Sequence, residues 1–124
     1  MNNNNFQQAP FNPEHFRTEG HKIIDILSDY LMDITARPDT PVLPWQDPDT
    51  LAGKYAGNLN NGSNQDFGDY IREVIGYSNH LHHPRYIGHQ VTAPLPHVAL
   101  AQLCTTLLNN GAAIYEMGPV AMAM

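Results

Sequence analysis

Four histidines within ten positions are the residues of this chain whose side chains are best suited to bind a metal ion. His80, His82, His83 and His89 carry imidazole nitrogens, which ligate zinc, copper and nickel. Their spacing argues against a metal site, because Pro84 interrupts the segment, no pair stands at i and i+4, and no nearby carboxylate could orient the rings. We predict polar loop residues near a pocket and no metal.

Lys22 and Lys54 are the only lysines, and a lysine amine is what binds an aldehyde cofactor covalently. Lys22 lies in a predicted helix and is expected to be solvated, while Lys54 lies in a stretch with little predicted structure. Neither is a credible cofactor lysine. The single cysteine, Cys104, lies in the apolar run AQLCTTLL and is predicted to be a buried thiol in a reducing, intracellular setting rather than a nucleophile.

The first element that must position these residues is a long helix beginning at Asn12-Pro13. Asparagine is a good helix cap, and proline is favoured at the first helical position. Pro38 ends the pattern, because proline disfavours helix in the residue before it. Between these limits an apolar stripe keeps helical spacing through Phe16, Gly20, Ile23, Ile24, Leu27, Tyr30, Leu31 and Ile34.

Three further helices and one extended segment follow. The run from Arg37 to Pro48 holds four prolines and predicts an extended strap anchored by Trp45. A short helix is expected around Asp49 to Tyr55, an amphipathic helix from Gln65 to Tyr77, and a third helix from Pro96 to Asn109. The segment Asn109-Asn110-Gly111 ends the last of these, because its residues tolerate a left-handed backbone.

Composition and charge restrict the class of protein. A net charge of −6 gives no attraction to phosphate backbones or anionic lipid, so neither nucleic acid nor a membrane is an expected partner. Residues 1–11 are rich in Asn and Gln and predict a disordered arm without a secretory signal, which favours a cytoplasmic protein. Ten prolines and nine glycines divide the chain into short pieces, so its helices are expected to need another surface to pack on.

The order of several short motifs resembles the N-terminal part of pyridoxal-phosphate-dependent group II amino-acid decarboxylases, which include the aromatic amino acid, glutamate and diaminobutyrate decarboxylases. The resemblance covers nearly the whole chain after the arm, and this order is more specific than any one motif. Its clearest residues are His83-Pro84-Arg85-Tyr86-Ile87-Gly88-His89, Pro94-Leu95-Pro96, Asn109-Asn110-Gly111 and Tyr115-Glu116-Met117-Gly118-Pro119, with Phe16-Arg17, Gly20-His21, Ile24-Asp25, Asp29-Tyr30-Leu31, Pro41-Val42, Pro48 and Leu51 upstream.

The resemblance implies a mostly α segment, residues 12–124, that serves as an N-terminal helical dimerisation flap with a proline-rich strap. Such a flap belongs to a fold-type I enzyme and is swapped with a second copy of the same chain in a homodimer. The large α/β domain of that enzyme is absent from this sequence. The final AMAM carries no cap or turn signal, which indicates truncation before the domain that binds pyridoxal 5'-phosphate.

The resemblance also implies which residues line the substrate pocket and which do not act in catalysis. The cofactor, its lysine and the aspartate that protonates its ring belong to the missing domain, so we expect no catalytic or cofactor-binding residue in this chain. The family's carboxy-lyase chemistry, in which the cofactor takes up electrons as carbon dioxide leaves an amino acid, would therefore require that domain. The pocket-lining residues carried over are His89, Gln90, Val91, Thr92, Asn110, Gly111, Ala112 and Ala113.

The substrate and two alternative functions stay open. His89, Gln90 and Leu81 stand where the aromatic-amino-acid branch tends to place aromatic residues, so a polar substrate such as glutamate or a diamino acid is equally admissible. The chain could instead be a stand-alone helical protein-interaction module that uses the stripe from Phe16 to Ile34. It could also be a small metal-binding protein built on the histidines.

Overall fold

The computed structural model describes residues 12–56, 66–88 and 90–123. These residues are mostly helical and include no β-strand, which confirms the prediction of a mostly α chain. They fall into two compact units, of which the first ends at Gln90 and the second begins at Val91. None of the helices in the described ranges is both long enough and apolar enough to cross a membrane. The predicted disordered arm, residues 1–11, lies outside the described residues.

The first helix, α1, spans Pro13–Ala36 and has the boundaries that the sequence predicts. The side chain of Asn12 caps it, because its Oδ1 accepts the backbone N–H groups of Glu14 (2.9 Å) and His15 (3.2 Å). A cap of this kind stabilises a helix by about 1 kcal/mol. The helix ends two residues before Pro38, as the restriction on residues preceding proline requires.

Only one side of α1 is covered within the first unit. The helix packs against α3, which spans Phe67–Tyr77, and this contact leaves Ile26 and Ile34 only 7% and 2% exposed. Successive residues of a helix are rotated by about 100°, so the apolar residues of α1 occupy a wide arc of its surface. One neighbouring helix covers only part of that arc. Ile34 belongs to the predicted stripe, whereas Ile26 does not, so the stripe predicted the buried side of α1 only in part. The exposed members of the stripe include Phe16 (51%), Leu27 (39%) and Ile24 (38%).

The two shorter helices of the first unit begin close to the predicted positions. Helix α2 spans Pro48–Ala56, which confirms the short helix expected around Asp49 to Tyr55. Helix α3 begins two residues after the predicted Gln65, because Asp66 caps it with a side chain that accepts the N–H of Asp69 (3.2 Å). Local side-chain hydrogen bonds thus set the start of the helix.

The strap, residues 37–47, contains no helix and is joined to the segment that follows α3. The N–H of His80 donates a hydrogen bond to the carbonyl oxygen of Val42 (2.9 Å). The prediction that Trp45 anchors the strap is wrong for the described part of the chain, because its side chain is 77% exposed. Leu43 is also exposed, so the apolar side chains at this end of the strap have no described surface beneath them.

The second unit contains one long helix followed by a tight turn and a short helix. Helix α4 spans Pro96–Leu108, and Asn109 ends it in the left-handed conformation (φ 46°), as its sequence predicts. A 3₁₀ turn at Tyr115–Met117 and helix α5 at Pro119–Ala123 follow. Every residue of α4 is exposed, including Cys104, so the prediction of a buried thiol is wrong. The physical reason is that no described element of this unit packs on the helix.

Candidate functional site

The first predicted pocket segment covers residues 89–92. His89 lies outside the described residues, whereas Gln90, Val91 and Thr92 are exposed. Gln90 has φ 43°, in the left-handed region that side chains other than those of Asn and Asp seldom adopt. Such a conformation costs on the order of 1 kcal/mol and is found preferentially at functional sites. Gln90 is thus presented by a strained backbone, a feature that its residue type does not predict.

The second predicted pocket segment, residues 110–113, lies in the turn that follows α4. Asn110, Ala112 and Ala113 are exposed and Gly111 is half-buried. Gly118 is buried where this turn closes. A Cβ atom at this position would collide with the carbonyl oxygen of Gly111, so the close approach requires a glycine. Gly118 was not predicted to have this role, although the Gly-Pro pair before α5 is a turn signal.

The first predicted segment is divided between the two units. Gln90 belongs to the first unit, while Val91 and Thr92 belong to the second with residues 110–113. Within the described part of the second unit, neither Val91 nor Thr92 hydrogen-bonds to any of residues 110–113. A pocket formed by both segments therefore stays a prediction.

Lys22 forms an ion pair across the first unit. Its Nζ donates a hydrogen bond to Oδ1 of Asp66, the residue that caps α3. This hydrogen bond raises the pKa of Lys22 and lowers the pKa of Asp66. The side chain is 33% exposed, so Lys22 stays in contact with solvent but is ion-paired, which the sequence did not indicate. The reason is that α3 places its capping carboxylate next to Lys22.

Lys54 lies on α2, and the expectation of a poorly structured stretch is therefore wrong. Its Nζ donates to Tyr77 Oη (2.9 Å), pairs with Glu73 Oε1 (3.0 Å) and stands 4.4 Å from the centre of the Tyr77 ring. The hydrogen bonds to Tyr77 and Glu73 raise the pKa of Lys54 above its usual value. An amine must lose its proton before it attacks an aldehyde, so neither Lys54 nor Lys22 is suited to hold pyridoxal phosphate.

The histidine loop, residues 78–88, contacts Tyr30 of α1 and buries two of its histidines. His80 and His83 are 6% and 3% exposed. A hydrogen bond joins His80 Nδ1 to Tyr30 Oη (3.3 Å), and the Tyr30 ring also contacts the ring of His82 edge-on. Nδ1 of His83 accepts the N–H of Arg85 (3.0 Å), whereas its buried Nε2 has no hydrogen-bond partner among the described residues.

The burial of His80 has an electrostatic consequence. Removal from water lowers the pKa of His80, and the proximity of His83 lowers it further. In the described ranges, no three His, Cys, Asp or Glu side chains are grouped so that they could hold a metal ion. His80 and His83 pack and hydrogen-bond inside the first unit, which the spacing of the histidines does not reveal.

An open cavity of about 340 Å³ lies beside the loop, between α1 and α3. Its charged groups are largely balanced locally, because Arg37 pairs with Asp33 (2.9 Å) and Arg72 pairs with Asp69 (2.9 Å). The i,i+4 and i,i+3 spacings of these pairs are visible in the sequence, but the cavity is not. Its lining consists of Ile26, Asp29, Tyr30, Asp33, Ile34, Arg37, Thr40, Arg72, Ile75, Gly76 and His80.

Comparisons with known proteins add no assignment to this geometry. No protein-family model matches the chain, and searches of curated proteins and of solved structures found no match. The resemblance to group II decarboxylases therefore rests on the motifs of the sequence alone.

Proposed function

We propose that this chain is the N-terminal dimerisation and substrate-pocket segment of a pyridoxal-phosphate-dependent amino-acid decarboxylase and is inactive as an isolated chain. The order of the sequence motifs suggests the family. The observation that carries the proposal is that the described helices leave large apolar faces uncovered. Ile26 and Ile34 are the buried hydrophobic side chains in the described residues, whereas α4 has none.

The uncovered side chains are numerous enough to require a partner surface. On α4, Val98, Leu103 and Leu107 are 49%, 48% and 66% exposed. Burial of a side chain of this size contributes about 1 to 2 kcal/mol, so a partner that covers several of them gains much of the free energy needed for stable association. We assign these surfaces to a second copy of the chain in a swapped homodimer and to a large α/β domain of the fold-type I class.

The described residues do not fit pyridoxal phosphate by themselves. Lys22 and Lys54 are ion-paired to Asp66 and Glu73, and both pKa values are raised. The large domain would therefore hold the cofactor. The part of this chain would be to position an amino-acid substrate and exclude water with His89, Gln90, Val91, Thr92, Asn110, Gly111, Ala112 and Ala113. We place the enzyme in the cytoplasm.

A borohydride trapping experiment tests the absence of a cofactor lysine. The isolated chain is incubated with pyridoxal phosphate and reduced, and the adducts are mapped by mass spectrometry. We expect only substoichiometric labelling. It should be no greater than the labelling of a Lys22→Arg/Lys54→Arg control, in which the N-terminal amine is left to react. A stoichiometric adduct at either lysine would contradict the proposal.

The reading frame of the gene tests the assignment to an enzyme. We expect the codons beyond Met124 to encode a lysine-bearing α/β domain, and the protein that contains both parts to decarboxylate an amino acid. If the codon after Met124 is a stop codon and no partner chain supplies such a domain, the decarboxylase assignment fails.

A stand-alone protein-interaction module is the second candidate. The observation that favours it is the uncovered face of α1, where Phe16, Ile24 and Leu27 are exposed together. Two results together would support this candidate. The codon after Met124 would be a stop codon, and the chain would bind a different protein whose binding is lost in Phe16→Ser/Leu27→Ser. Retention of a transition metal after purification without a tag would instead favour a metal-binding protein.

A further inference from the structure

The histidine loop holds the strap through a backbone hydrogen bond. His80 occupies the centre of this contact: its N–H donates to Val42 of the strap (2.9 Å) and its ring hydrogen-bonds to Tyr30 of α1 (3.3 Å). The next turns of the loop continue from it, since His83 N–H donates to the His80 carbonyl (3.0 Å) and Tyr86 N–H to that of His83 (2.9 Å). Displacement of His80 therefore displaces the strap and the loop together.

His83 links His80 to the rest of the loop. Its Nδ1 accepts the N–H of Arg85 (3.0 Å), and its own backbone N–H donates to the His80 carbonyl (3.0 Å). Its side chain is only 3% exposed, so a displacement of His80 also disturbs a buried ring.

The surroundings of His80 disfavour its charged form. Its side chain is 6% exposed, and burial together with His83 lowers its pKa from the usual 6.5. The charged residues that line the cavity next to it are two acids and two bases, so they provide no net negative charge to stabilise an imidazolium. The titratable and charged groups that surround the pair are Asp29, Tyr30, Asp33 and Arg37 of α1, Arg72 of α3, and His82 and Arg85 of the loop itself.

We propose that the histidine loop is an acid-sensitive latch on the strap: a proton added to the buried His80 ring favours exposure of that ring to water, which moves the loop away from Tyr30 and releases the strap at Val42. The sign follows from the burial of the neutral His80 ring. A histidine whose folded-state pKa lies below that of the unfolded chain contributes stability that is complete well above pH 6.5 and declines as the pH falls below that value. The latch is therefore closed at neutral pH and opens on acidification, independently of any enzymatic function of the chain.

Amide hydrogen exchange of the ¹⁵N-labelled 124-residue chain tests the latch. Between about pH 7.5 and about pH 5, the protection of the His80 amide, corrected for intrinsic exchange, should fall by about tenfold or more. The Arg37 amide, which donates to Asp33 at the end of α1, is the internal control and should keep its protection. Retention of His80 protection at the lower pH would overturn the proposal.

Matched variants separate the two histidines from general acid effects. In His80→Asn/His83→Asn, the asparagine amides can still hydrogen-bond to Tyr30 and to the Arg85 N–H but do not titrate, so protection at position 80 should not change with pH. His97→Asn, which removes an exposed histidine on α4, should behave like the unmodified chain. Loss of protection in the double variant equal to that in the unmodified chain would refute the latch.

The titration of the imidazole signals gives a second test that requires no substitution. If the double variant does not fold at neutral pH, as judged by circular dichroism, the Cε1–H resonance of His80 in the unmodified chain decides. It should titrate with the same midpoint as the loss of His80 amide protection. Midpoints that differ by about one pH unit or more would contradict the proposal.

Discussion

The two units of this chain use the same kinds of helix signal but differ in how much of their surface they bury. The first has capped helices, ion pairs between elements, two buried isoleucines and two buried histidines. The second has a well-defined long helix whose residues are all exposed, and its buried residue is Gly118. The comparison shows that local signals define helices in both regions, whereas the side chains that are buried among the described residues lie in the first unit.

The largest difference between the units is expected for removal of a buried side chain. Ile34→Ala, at a position only 2% exposed, should lower the free energy of unfolding of the first unit by about 2 kcal/mol or more, because it leaves a cavity between α1 and α3. Leu107→Ala on α4, at a position 66% exposed, should change it by less than about 0.5 kcal/mol. Urea unfolding followed by circular dichroism measures both, and equal losses would contradict the contrast.

Glycine substitutions should produce a smaller effect, this time centred on the second unit. Gly118→Ala places a Cβ atom against the carbonyl of Gly111 and should cost about 1 to 3 kcal/mol, with amide chemical shifts changing across residues 111–117. Gly53→Ala on α2 meets no atom within 4 Å and should stabilise the chain by about 0.5 to 1 kcal/mol. If Gly118→Ala leaves the amide spectrum of the turn unchanged, the close approach of the two glycines is wrong.

The smallest effect concerns the ion pair between Lys22 and Asp66 in the first unit. The hydrogen bond from Lys22 lowers the pKa of Asp66 below its usual 3.8, so the pair contributes stability above that pH and loses it as the pH falls through the folded-state pKa. In Lys22→Met, the free energy of unfolding should fall less steeply below about pH 4 than it does in the unmodified chain; this is the acid limb of the stability curve. Arg17→Met, which removes an exposed partner of Glu14, provides the control and should leave that limb unchanged. An identical acid limb in Lys22→Met would refute the assignment.

Much of the candidate site could not be predicted from residue types. The family resemblance suggests Gln90 as a pocket residue, but its left-handed backbone could not be predicted, since glutamine has no preference for that conformation. The role of Gly118 also depends on a second residue, Gly111, that the turn brings next to it. The environment of Lys54 was predicted incorrectly for the same reason, because its partners Glu73 and Tyr77 lie on another helix.

The sequence by itself determined where the helices begin and end. Asn12-Pro13, Asp66 and Asn109 act through hydrogen bonds or backbone preferences that extend over a few residues, and such local effects can be recognised without knowledge of the fold. Only the tertiary structure decided which apolar and polar groups are covered: Ile26 rather than Phe16 on α1, His80 and His83 in the loop, and neither Trp45 nor Cys104. Burial depends on which surfaces meet, and residues distant in the sequence decide that.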